Sequence, residues 1–110
     1  MSQGIQLFEP QTTATVSITC STVTARVALV ATAAVGFSLR IKNIDTTNVA
    51  YVELGGSTVS ASVPNGATPG SMPVGPGETV GVGLSNVITN VAAVSSAGTP
   101  TVYFTPGTGV

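Results

Sequence analysis

The sequence predicts an all-β fold, an eight- to nine-stranded antiparallel β-sandwich of jelly-roll-like order with a short extended N-terminal arm. Three observations lead there. Val and Thr each occur 17 times in 110 residues, and two heavy atoms on Cβ suit such side chains to a pleated surface. The chain holds 13 Gly and 7 Pro, which punctuate it with turns. Between the turns apolar and polar residues alternate, the period of a half-buried strand. The spacing of these segments is close to the roughly 8–12 residues of a sandwich or barrel.

The length is that of one domain of ~100–150 residues. We divide it into an arm over residues 1–11 and a single sandwich domain over 12–110. In the arm, Ile5 and Leu7 alternate with Gln6, Phe8 follows, and Pro10 ends the segment. Two readings fit: a frayed terminus or short edge strand of its own domain, or an extended arm that pairs with a neighbouring subunit. A buried Leu or Phe there contributes ~1.5–3 kcal/mol, so Ile5, Leu7 and Phe8 are candidate partner contacts.

The first strand candidate covers 12–20, with Val16, Ile18 and Cys20 on one face and Thr15, Ser17 and Thr19 on the other. Residues 23–30 place Val23, Ala25, Val27 and Leu29 together, with Arg26 outward. Residues 35–43 give the clearest alternation: Val35, Phe37, Leu39 and Ile41 against Ser38, Arg40 and Lys42. A bend is expected between these two strands, around 31–36. Asp45-Thr46-Thr47-Asn48 is a turn, because Asp and Asn bond their own backbone. In 49–54, Ala50, Val52 and Leu54 face inward and Tyr51 and Glu53 outward. Gly55-Gly56-Ser57 reads as a hairpin turn, with 58–63 pairing back through Val59, Ala61 and Val63.

Residues 64–71 form a long loop, the segment whose composition best fits a contact loop; Pro64, Asn65, Thr68, Pro69 and, just beyond, Met72 are candidate partner contacts. Residues 72–79 are an edge segment closed by a Pro-Gly turn. Val80, Val82 and Leu84 then alternate with Gly81 and Gly83, and glycine inside a strand marks a bulge or the close approach of another backbone. Residues 86–89 suggest one helical turn. Strands at 91–95 and 101–105 follow, the latter with Val102 and Phe104 inward, and 106–110 read as a loose tail. No internal repeat is present, and the Trp and paired Cys of an immunoglobulin-like sandwich are missing.

Composition restricts function. Charged residues make up 6% of the chain, with three Lys plus Arg, four Asp plus Glu and no His. Nucleic-acid binding needs a basic patch, and only Arg26, Arg40 and Lys42 are present. A membrane-spanning helix needs ~20 apolar residues, and the longest weakly polar stretch, 27–39, is too short. The first ten residues lack the basic start and apolar run of a secretory leader. Cys20 continues an apolar alternation and has no histidine to activate it, so a buried small hydrophobe is expected, and a free thiol fits synthesis in a reducing cytoplasm. Glu9, Asp45, Glu53 and Glu78 fall at the arm, at turns and on an exposed strand face, where solvation rather than catalysis is expected. We therefore expect no catalytic, metal or cofactor site and no enzyme. Tyr51 and Tyr103 are the plausible exposed rings for stacking a glycan. The interior must be a thin layer of Val, Ala and Ile, because Leu numbers five, Phe three and Trp none. A thin core, near-zero net charge and a Ser- and Thr-covered surface favour association with other protein at low desolvation cost.

The run 37–43 leading to Ala50-Tyr51-Val52-Glu53-Leu54-Gly55, then 72–79, then Val102-Tyr103-Phe104-Thr105-Pro106-Gly107, resembles the small capsid decoration, or cement, proteins of tailed bacteriophages. The likeness extends over most of the chain from Thr12 onward, in strand order and turns. It implies a jelly-roll protomer, commonly a homotrimer, seated on the outer surface of the virion and clamping the major capsid protein. A tail, baseplate or fibre subunit and a glycan-binding sandwich module are the alternatives.

Overall fold

Among the described residues the alternating segments form nine strands: β1 (Glu9–Pro10), β2 (Val16–Thr19), β3 (Ala25–Ala28), β4 (Phe37–Asn43), β5 (Ala50–Gly55), β6 (Met72–Val74), β7 (Thr79–Gly83), β8 (Asn90–Ser95) and β9 (Thr101–Thr108). The computed structural model describes residues 7–29, 37–85 and 87–109, with only the backbone at Phe37. Ile5 and the bend expected at 31–36 lie outside the described residues. One sheet, here sheet I, has the order β1-β9-β4-β7 with β2 also paired to β9, and sheet II has the order β3-β8-β5-β6.

The pairings β2–β9, β3–β8, β4–β7 and β5–β6 are all antiparallel. These four pairs are those of one long hairpin folded about the β5–β6 connection, and rolling that hairpin into two sheets gives a jelly roll. The architecture expected from the alternation is the one observed.

The core lies between the sheets. Ile18, Cys20, Leu39, Ile41, Ala50, Val52, Val74, Val91, Ala93, Val102 and Phe104 are buried in one cluster, with Leu84 at its margin. Phe104 and Leu39 are the largest of the fully buried side chains. Cys20 is fully buried, and burial pushes its thiol up to about 11, so it packs as a small hydrophobe.

A buried asparagine organises one end of the sandwich. Asn43 donates its Nδ2 hydrogens to Asn48 O at 2.9 Å and Val74 O at 3.0 Å, and its Oδ1 accepts from Asp45 N at 3.0 Å. Asp45 Oδ2 in turn accepts from Thr47 N at 3.0 Å and Asn48 N at 2.7 Å, which closes the predicted turn. Those backbone bonds hold the Asp45 carboxyl below its usual range. The next turn is built as its residues dictate: Glu78 N donates to Gly75 O at 3.0 Å and Gly77 sits at φ 74°, the geometry of a type II turn with Pro76 leading.

Five expectations are corrected. Residues 58–63 do not pair back as a strand; Val59 N closes a turn onto Gly56 O, and Val59, Ala61 and Val63 pack instead against Tyr51, Ala92 and Val94 on the outer side of sheet II. Val23 is 71% exposed rather than inward, because Ser21 Oγ bonds Val23 N and O and bends the chain there. The strand expected over 12–20 is β2 and starts at Val16 rather than at Thr12, since Thr12 and Thr13 form a turn with Thr13 at φ 53°. The tail is no loose end to Thr108: β9 pairs with β4 as far as Phe37↔Thr108. The β4–β7 register runs unbroken from Ser38↔Gly83 to Lys42↔Thr79, so Gly81 and Gly83 mark no bulge.

Of the described arm residues, Glu9 and Pro10 belong to the chain's own sheet, and Leu7 and Phe8 precede it. Glu9 pairs with Thr108 and Pro10 with Gly107. Glu9 and Pro10 thus form an intramolecular edge strand.

Candidate functional site

The outer face of sheet I is assembled by register. Its outward rows are Thr19 and Thr101; Ser17, Tyr103, Lys42 and Thr79; Thr105, Arg40 and Gly81; and Gly107, Ser38 and Gly83. Hydroxyls on this face bond each other, Thr15 to Thr105 at 3.0 Å and Thr19 to Thr101 at 3.3 Å. Two of the three basic residues of the chain, Arg40 and Lys42, stand on it, and no acid occupies these rows.

One corner of the face is cut into an open groove of about 500 Å³, lined by Phe8, Ser38, Arg40, Thr79, Gly81 and Gly83 among others. Sequence explains its shape. Alternate residues of β7 are glycine on the outer side, and the space above Gly81 and Gly83 is empty to 4 Å. The wall is Phe8. Its ring lies over Gly107, where a Cβ would collide with Phe8 and with Glu9 O, so only glycine admits the return of the N-terminal segment. The Arg40 guanidinium stacks on the Phe8 ring at 4.6 Å from its centroid, a cation–π contact. Ser38 Oγ donates to Gly109 O. Lys42 Nζ donates to Gly77 O at 3.1 Å.

Among the residues that line the groove, Arg40 brings the one charged side chain, a planar donor fork with no acceptor. Its N–H groups can donate to an oxyanion or to the carbonyl oxygens of an extended backbone. Among the described residues no three of Cys, Asp or Glu gather as metal ligands would.

The residues singled out from sequence lie on two separate faces. Leu7 is 77% exposed and Phe8 half-buried in the groove wall on sheet I. Pro64, Asn65, Thr68 and Pro69 are exposed in the β5–β6 connection, and Met72 begins β6 opposite Val52. That loop is a built hairpin rather than a slack one. Asn65 N donates to Thr68 O at 3.1 Å and Thr68 N to Asn65 O at 2.9 Å, with Gly66 at φ 60° as a type II′ turn requires. Its stem is tied down by Ser71, which donates to Glu53 Oε1 at 2.7 Å and accepts from Ser62 N at 3.0 Å. Glu53 is on sheet II, so arm and loop face opposite ways.

Ser38, Arg40, Gly81 and Gly83 were not among the expected contacts. Their signal was present in the sequence: two outward cations on one strand, and a Val-Gly-Val-Gly alternation. Only the β4–β7 register shows that the two patterns adjoin. Of the candidate glycan rings, Tyr103 is 40% exposed and Tyr51 is half-buried beneath residues 59–63. No protein-family model and no curated protein matches the chain.

Proposed function

We propose that this chain is a non-enzymatic structural protein of a virus particle, a decoration protein that binds the outer surface of a capsid shell and stabilises contacts between major capsid proteins. The observation that carries the reading is the outer face of sheet I, rich in hydroxyls that bond one another, with Arg40 and Lys42 as the charged side chains of its rows. Hydroxyls already paired enter a protein interface at low desolvation cost, and the two cations call for acceptors on the partner. The jelly roll and the resemblance of strand order to cement proteins support the same assignment. The mechanism is multivalent adhesion. An oligomer, a trimer in this reading, engages several shell subunits at once, and modest contacts combine through effective concentration.

The test is shell binding. Capsids assembled from the major capsid protein of the same genome are mixed with the chain, sedimented and imaged, and the mass of the free chain is measured by light scattering. Density on the shell surface and three protomers in solution are expected; label on the tail, or no association, refutes the assignment. Removing residues 1–8 spares β1 and leaves the fold intact, yet lowers shell occupancy more than about tenfold if Leu7 and Phe8 are contacts, because one buried apolar side chain contributes ~1.5–3 kcal/mol.

A second reading, a glycan-binding module, has one observation in its favour: Tyr103 stands 40% exposed in the row with Lys42 and Ser17. Glycan-array hits that vanish in Tyr103→Ala would move the assignment there.

A further inference from the structure

We propose that the outer edge of β7 accepts an extended segment of a partner protein as an added strand, and that this segment carries an acidic side chain where it passes Gly81. The inference rests on the reading above in one respect, that the chain docks onto another protein.

The backbone geometry comes first. β7 is the last strand of sheet I, paired to β4 alone among the described residues. Asn43 N bonds Glu78 O at 3.1 Å, and along an antiparallel pair the bonded positions alternate. The bonded pairs are therefore Ile41–Val80 and Leu39–Val82, in the register observed. The N–H and C=O groups of Thr79, Gly81 and Gly83 consequently point away from the sheet. These are the groups an added strand would use.

Edges of this kind are usually guarded by Pro, by charge or by a covering segment. β1 and β6 carry Pro10 and Pro73. The β3 edge is overlaid, with Ala61 N donating to Thr24 Oγ1 at 2.8 Å and Arg26 donating to Val59 O at 3.1 Å. β2 also lacks Pro and charge, but its outward positions carry Ser17 and Thr19, so no bare row opens beside it as one does at Gly81 and Gly83 on β7. β7 reads Thr-Val-Gly-Val-Gly, with neither Pro nor charge.

Charge chooses the occupant. A strand added to β7 lies two strand spacings, roughly 10 Å, from β4. Gly81 places no side chain between them, and Arg40 is the residue paired with Gly81. A Glu or Asp opposite Gly81 therefore has an open path over the groove to the guanidinium, with Lys42 one pair further on. A second copy of this chain offers no acid within its own β7 and brings the same cations to the shared face, so an acidic segment of a different protein fits better.

The test uses the ¹⁵N-labelled full chain and three synthetic hexapeptides of alternating Val and Thr, with Glu, Gln or Lys at one central position. With the Glu peptide, the amide resonances of Thr79, Gly81 and Gly83 are expected to shift. Its binding should be about two- to fivefold tighter than that of the Gln peptide, as an exposed ion pair allows, and the Lys peptide should bind most weakly. Gly81→Pro removes an outward N–H without touching the β4 ladder. It should abolish the shifts at Thr79 and Gly83 while the Leu39 and Ile41 amides keep their native positions. Arg40→Ala should level the Glu and Gln peptides. No shift with the Glu peptide, equal binding of the Lys peptide, or undiminished binding to Gly81→Pro overturns the proposal. So does a dimer of the free chain that Gly81→Pro dissolves, since a second copy would then own the edge. Shell binding without peptide binding removes this inference and leaves decoration standing; peptide binding without shell binding does the reverse.

Discussion

Sheet II carries Ala92 and Val94 on its outer side and hides both under residues 59–63, whereas sheet I carries Ser17, Arg40, Lys42 and Thr105 there and leaves them at or near solvent. The same chain thus closes one face with its own β5–β6 connection and presents the other. What distinguishes the two is side-chain chemistry along the middle strands. β8 is apolar on both sides, so both sides must be covered. β4 is apolar on one side only. Its outer residues are stable in water, and the hydroxyls beside them on β2 and β9 satisfy one another. A face that is content in water and inexpensive to dry is suited to reversible docking, and that is why the proposals above fall on sheet I.

The core common to both sheets sets the scale against which this contrast is measured. Phe104 is fully buried and packs between them. Phe104→Ala is expected to cost about 3–5 kcal/mol in denaturant unfolding, the largest effect, and to disturb both faces alike. If unfolding became biphasic, with one sheet surviving, the two faces would not share a core.

A matched pair of lysines breaks the contrast directly. Ala92→Lys places a charge under the covering segment and should cost about 2–4 kcal/mol, in the range for burying an unpartnered polar group. Ser17→Lys, outward on sheet I, should change stability by no more than about 0.5 kcal/mol. Equal urea midpoints for the two variants would mean that residues 59–63 do not seal sheet II.

Much of the fold was legible in the sequence because alternation reports burial locally. Val16, Ile18 and Cys20, then Leu39 and Ile41, then Val102 and Phe104 all face the core side that the alternation assigns them. The same rule also found Val59, Ala61 and Val63 as burying residues. It could not say which apolar surface receives them, since period two fixes a face and not a partner. The continuous run Val91-Ala92-Ala93-Val94 held the missing clue, a strand apolar on both sides. The end of β9 was missed for a different reason. Pro106 and Gly107 look like strand breakers, yet Pro106 uses its carbonyl to accept from Gln11 N at 2.9 Å, and Gly107 is the residue over which Phe8 can fold. Both are tolerated because of a strand that arrives from the far end of the chain. The groove stayed hidden on the same ground: Arg40 and Gly81 are neighbours only through register.

The tether of the covering loop tests how firmly sheet II is closed. Ser71 is buried and serves two partners, donating to Glu53 and accepting from Ser62 N. Ser71→Ala leaves the Ser62 N–H unpaired and should cost about 1–2 kcal/mol. Hydrogen exchange should rise at Ala61 and at Ser62 while Leu39 and Ile41 stay protected. Uniform loss of protection would show that the loop and sheet I open together.

The smallest effect is a pH dependence at the connection between the sheets. Asp45 lies in the turn from β4 of sheet I to β5 of sheet II, and its carboxylate accepts from Thr47 N and Asn48 N. Those bonds favour the ionised form, so its pKa is lower folded than unfolded. A carboxyl shifted this way adds stability at pH values above its unfolded range, and that contribution is lost as pH falls through the folded value. Asp45→Asn retains an acceptor oxygen but has no proton to bind. Urea midpoints measured from neutral pH down to pH ~3, past the ordinary carboxyl range, should fall more steeply for the wild type than for Asp45→Asn. Parallel curves would leave the Asp45 turn without a part in joining the covered sheet to the open one.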